Sequence, residues 1–134
     1  MTFEKFNFSQ KQISQYYDSA VRDFKIASES DVPEVSFRFC YDAILKLAIA
    51  VCARNGLRVK SKRGHHIELI HKLSEMINYP EIEVIGNEMR SKRNFDLYGG
   101  GTLISKKEAK SYIEWTRDIF KKVDEYLHNK SRLF

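Results

Sequence analysis

The segment VSFRFCYDAILKLAIAVCARN, Val35–Asn55, decides how this chain folds. Its apolar residues cover most of a helical circumference rather than a single stripe, as a helix requires when other helices pack on several of its sides. Arg38, Asp42, Lys46 and Arg54, spaced four, four and eight apart, interrupt the run. The segment is therefore too charged to span a membrane and is expected to carry one solvated line down a buried rod. Pro33 is tolerated in the first helical turn and Gly56 stands where a helix C-terminus favours glycine, so the sequence itself brackets the rod.

Amphipathic segments flank this rod on both sides. Upstream, Ser9 is placed to cap a helix running to about Ser30, with Ile13, Tyr16, Tyr17, Ala20, Val21, Phe24 and Ala27 recurring at three- and four-residue spacing. Downstream, a basic loop at Leu57–Gly64 (LRVKSKRG) leads into a third helix from about His65 to Asn78, with Ile67, Ile70, Leu73 and Ile77 as inward positions and Tyr79-Pro80 as its stop. A fourth helix begins near Pro80, carries Ile82, Val84, Ile85 and Met89, and ends at Gly99–Gly101. Ser105 and Glu108 form a capping box for a last helix, whose stripe runs from Ala109 through Tyr112, Ile113, Thr116, Ile119, Phe120 and Val123 to Leu127. Neither an internal repeat nor a convincing strand is legible, and the connections are short. The expected fold is a single all-α domain over residues 1–134, an up-and-down antiparallel bundle of four to five helices.

Composition fits that expectation. With 43% hydrophobic and 31% charged residues, 2 Pro and 6 Gly in 134 residues, the chain can bury a core, which excludes a disordered polymer. Met1–Phe8 lacks the apolar run of a signal peptide or anchor, so the expected location is cytoplasmic, without a membrane. Cys40 and Cys52 lie in apolar helical sequence without ligand spacing and read as buried free thiols. A net charge of +5 favours encounter with polyanions without identifying one.

Two clusters could carry chemistry. On the fourth helix Arg90, Arg93 and Asn94 fall at i, i+3 and i+4, with Asp96 close by and Tyr98 two turns beyond Arg90. Two guanidiniums and a carboxamide form a forked donor array suited to phosphate or carboxylate. The competing reading is a solvated face on which the arginines pair with Glu88 or Asp96. The second cluster is Arg54, Arg58, Lys60, Lys62, Arg63, His65 and His66, a basic stretch running into a helix N-terminus whose free amides attract anions. His65, His66 and His71 lack metal-ligand spacing, and Gly99–Gly101 follows a helix rather than opening one after a strand; neither a metal nor a bound cofactor is expected.

The order of these signals resembles the HEPN (higher eukaryotes and prokaryotes nucleotide-binding) family. The resemblance is carried by FCYDAILKLAIAVCARNGLRVKSKRGHHIELIHKL, residues 39–73, and by RSKRNFDLYGGGTLISKKEAKSYIEW, residues 90–115. It implies a helical bundle that often dimerises, with the Arg-bearing helix near the dimer groove. It also implies binding of RNA or a nucleotide, and work beside a separately encoded nucleotidyltransferase in a toxin–antitoxin or defence setting. Family ribonucleases place a histidine after the motif arginine. Here the positions five to seven beyond Arg90 are Phe95, Asp96 and Leu97, and those beyond Arg93 are Tyr98, Gly99 and Gly100, so the histidine is missing in either register. Three functions therefore stay open: a binding module, a metal-independent endoribonuclease with a non-standard site, and a dimerising interaction domain.

Overall fold

The computed structural model describes residues 2–60, 64–98 and 104–132, leaving aside the side chains of 96–98 and 129–132. Among the described residues it contains two short strands and five helices: β1 (Phe3–Lys5), α1 (Gln10–Glu29), α2 (Pro33–Arg54), β2 (Leu57–Val59), α3 (His65–Met76), α4 (Glu81–Tyr98) and α5 (Lys106–Arg132). The chain is an all-α bundle. None of its helices is long and apolar enough to cross a membrane, among the described residues.

The caps explain the boundaries. Ser9 and Gln12 close a reciprocal capping box on α1, and Ser105 and Glu108 close another on α5, each satisfying amide groups that a helix start leaves without partners. Pro33 opens α2, and Gly56 ends it at φ +71, a left-handed conformation that suits glycine. α2 is the centre of the fold: Cys40, Tyr41, Ala43, Ile44, Leu47, Ala48, Ala50 and Val51 are all fully buried. The thiols of Cys40 and Cys52 are free, and burial pushes them up to about 11 and about 12.

Residue pairings fix the directions of the helices. Lys46 meets Asp23 and Ser36 meets Ala27, so α1 and α2 run oppositely. α3 and α4 also reverse, through His71–Glu83 and Ile70–Gly86, as do α4 and α5, through Glu88–Tyr112 and Lys92–Glu108. The remaining connection departs from the alternating order. Tyr41 meets His66 at the start of α3, while Asn55, just past the end of α2, meets Met76 at the end of α3; these two helices run in the same sense. The chain achieves this by returning along α2 through β2.

That return corrects the sequence expectation of no strand. β2 pairs antiparallel with β1, with Phe3 opposite Val59 and Lys5 opposite Leu57, and the ladder is extended by Phe6 N–H to Gly56 O at 2.9 Å and Lys60 N–H to Thr2 O at 2.7 Å. Three residues per strand give too few alternations to be read from sequence.

Other expectations also need correcting. Val21 of the α1 stripe and Ile67, expected inward on α3, are exposed, as is Val84 on α4. Asp23 on α1 and Leu69 on α3 are buried beside the expected Ile13, Ala20, Ala27, Ile70 and Leu73, so the packed faces include positions outside the apolar stripes. The line Arg38–Asp42–Lys46–Arg54 is not simply solvated: Lys46 Nζ lies 2.7 Å from Asp23 Oδ2 on α1.

Candidate functional site

Three helices converge where α3 begins. Gly64, at φ +83, turns the chain so that His65 and His66 start α3 beside the middle of α2. α4 then lies close against α3. A Cβ built on Gly86 would stand 2.8 Å from Ile70 Cγ2, so only the absence of a side chain permits this approach. α4 thereby brings Arg90 and Arg93 toward Tyr41 and His66.

The cluster has defined geometry. The Tyr41 hydroxyl lies 3.1 Å from His66 Nδ1, and the two rings meet edge to face at 5.8 Å. His65 packs edge to face on His66 at 4.5 Å. The Arg93 guanidinium carbon lies 5.8 Å from the Tyr41 ring centroid, within cation–π range. Tyr41 is fully buried, and burial pushes its hydroxyl up to about 12 despite the opposing pull of Arg93 and Arg90. Burial first, then His65, Arg93 and Arg90, hold the His66 imidazole down at about 4. At neutral pH the cluster therefore contains an uncharged imidazole, a protonated phenol and two guanidinium cations.

Of the carboxylates that the solvated-face reading assigned to the arginines, Glu88 is engaged elsewhere and the Asp96 side chain lies outside the described residues. Among the described residues neither Arg90 nor Arg93 forms an ion pair. Glu88 is taken by the Tyr112 hydroxyl at 2.6 Å and by Lys92 at 3.4 Å, and Lys92 also reaches Glu108 at 3.1 Å. Arg90 Nε makes only a long contact to Asn87 Oδ1, at 3.5 Å, while Arg93 Nε is buried without a hydrogen-bond partner among the described residues. Arg93 also acts on Asp42, whose half-buried carboxyl is raised by burial and by Asp23, with Arg93 acting against them. An unmet guanidinium donor costs free energy, and a bound anion would remove that cost.

The other sequence candidates are distributed. Asn94 is half-buried on α4 beside Arg93; the Asp96 and Tyr98 side chains, and Lys62 and Arg63 entirely, lie outside the described residues. Among the described residues of the basic stretch, Arg54, Arg58 and Lys60 do not gather at this cluster. Arg54 lines a separate cleft with Tyr17, Asp124 and His128. Arg58 pairs with Glu4 and stacks on Phe6, 4.3 Å from its ring centroid. Lys60 borders a groove against Thr2, Glu68 and Lys72. His71 is bound to Glu83, which raises its pKa. No group of three or more His, Cys, Asp or Glu side chains suited to a metal occurs among the described residues.

Sequence reading singled out His66 and both arginines but placed them in separate clusters, and it missed Tyr41. Inside an apolar helix, a tyrosine reads as one more core aromatic. Its one distinguishing signal is a hydroxyl that must find a partner once buried. No protein-family model, curated protein or solved structure matches this chain.

Proposed function

We propose that this chain is a HEPN-like module that binds RNA or a nucleotide through its phosphate, using Arg90, Arg93 and His66, with Tyr41 behind them. One observation carries the reading: two guanidiniums without carboxylate partners among the described residues, one bearing a buried N–H unmet by any of them, stand beside an uncharged imidazole. The net charge of +5 favours the encounter. Dimerisation is part of the proposal. Val84 and Phe95 are 70% and 56% exposed, and their spacing of eleven residues puts them on one side of α4. Association with a separate nucleotidyltransferase, in a toxin–antitoxin or defence setting, extends the same proposal to a partner.

The test is fluorescence anisotropy with a labelled single-stranded oligoribonucleotide across a salt series. Binding is expected to weaken with salt, with a slope of about −0.7 for each phosphate engaged. Arg90→Gln with Arg93→Gln is expected to weaken binding and flatten the slope; unchanged binding refutes the assignment.

A metal-independent endoribonuclease is the second reading. It is favoured by the presence of an imidazole beside the arginine pair, replacing the one missing from the linear motif. Cleavage of an RNA panel in EDTA, lost in Arg93→Ala and in His66→Ala, would establish it.

A further inference from the structure

We infer that Tyr41 is a positioning residue that fixes His66 as a hydrogen-bond donor, with its proton on Nε2, making the cluster a receptor for phosphate oxyanions rather than a proton-abstracting centre. The ligand class rests on the function proposed above; the assignment of the proton does not.

A neutral imidazole carries one donor and one acceptor, and the partner of one nitrogen decides the role of the other. His66 Nδ1 faces the Tyr41 hydroxyl at 3.1 Å. That hydroxyl is enclosed, and Nδ1 is its one hydrogen-bond partner among the described residues. If Nδ1 carried the proton, the phenol would have to accept, and its own O–H would be buried without an acceptor. Arg93, on the face of the same ring, supplies only donors and makes the phenol a stronger donor still. The arrangement that satisfies every group has the phenol donating to Nδ1.

The proton then stands on Nε2. That nitrogen has no hydrogen-bond partner among the described residues, and it is not among the side-chain atoms closed off from solvent without one. It is free to meet a ligand. The groups acting on His66 are Tyr41 from α2, His65 from α3, and Arg90 and Arg93 from α4; Asp42 acts on Arg93 from α2. With Nδ1 occupied and Nε2 protonated, His66 has no lone pair with which to take a proton from a ribose hydroxyl. It offers instead a third donor beside two guanidiniums, a set complementary to phosphate oxygens.

Long-range ¹H–¹⁵N correlation of the histidine ring nitrogens at neutral pH tests this in the free protein, followed by titration with inorganic phosphate. The expected spectrum for His66 has a protonated Nε2 and an unprotonated Nδ1. In Tyr41→Phe, which keeps the ring and removes the hydroxyl, both tautomers become populated and phosphate affinity falls about two-fold, in proportion to the imidazole that no longer carries its proton on Nε2. His66→Ala, which removes the Nε2 donor altogether, is expected to lower phosphate affinity about 3- to 10-fold, the loss of one neutral hydrogen bond, and unchanged affinity in this variant overturns the assignment of His66 as a donor to the anion. A proton on Nδ1 in the wild type, or an unchanged tautomer in Tyr41→Phe, overturns the inference. The expected tautomer without any response to phosphate overturns the anion-site reading and leaves the Tyr41–His66 assignment standing.

Discussion

Replacing Arg93 by Met should move stability and binding in opposite directions. Methionine keeps an unbranched stem against Tyr41 while removing the guanidinium. In the folded protein that guanidinium has a buried Nε without a partner among the described residues and a contact with the Tyr41 face at 5.8 Å. Leaving the donor unmet costs about 1–3 kcal/mol. The cation–π contact returns about 0.5–1 kcal/mol. The difference predicts that Arg93→Met folds about 0–2.5 kcal/mol more stably than the wild type. The same change removes a charge-assisted bond to a bound phosphate, worth about 10- to 150-fold in affinity. His66 should also titrate at higher pH, since one of the cations holding it down is gone, while burial keeps it below the ordinary histidine value. Urea denaturation, oligonucleotide anisotropy and NMR titration of His66 read the three quantities on one sample. Destabilisation by more than about 1 kcal/mol would make Arg93 a structural residue and refute the reasoning.

The remaining predictions concern pH and packing. His66 has a folded pKa below its ordinary value, so the unfolded chain binds more protons and stability falls as pH drops from about 6.5 toward 4, by about 1 kcal/mol after screening of a half-exposed ring; comparing His66→Gln with wild type in urea at several pH values isolates this. His71 has the opposite sign: its pKa is raised by Glu83, so its contribution is complete below the ordinary histidine value and is lost as pH rises through the folded pKa, and His71→Gln should remove that dependence. Gly86→Ala puts a methyl group 2.8 Å from Ile70 Cγ2; although alanine is intrinsically the better helix former by about 1 kcal/mol, the clash should leave the variant less stable by about 1–2 kcal/mol and disturb the His66 resonances across the α3–α4 contact. Lys46→Met leaves the buried Asp23 carboxylate without its cation and should cost about 1–2 kcal/mol, recovered when Asp23→Leu is added, as thermal melts of the single and double variants would show.

Local chemistry was the most legible part of the sequence. Ser9, Ser105 with Glu108, Pro33 and Gly56 act within one helical turn of themselves, so their consequences can be read without knowing what packs where. The all-round apolar face of α2 likewise marked the centre of the bundle. What depended on the path of the chain was not legible. Three-residue strands carry no readable period, yet β2 sends the chain back along α2 so that α3 begins beside Tyr41 rather than at the far end. That one connection joins the two basic clusters at His66 and sends Arg54, Arg58 and Lys60 elsewhere. Gly86 looked like an ordinary helical residue, because close approach of a neighbour leaves no mark on the local pattern. That an imidazole stands near the arginines depended on tertiary contact, which the linear order does not show.

Phosphate recognition at the α2–α3–α4 junction is tested most directly by adding a short oligoribonucleotide to isotope-labelled protein and following the guanidinium Nε–H signals of Arg90 and Arg93 together with the His66 ring. Shifts at all three residues, saturating at one concentration and fading with salt, are the predicted result. Saturating shifts confined to Lys60 and Lys72 at the strand groove, or to Arg54 in its separate cleft, with the junction silent, would contradict it.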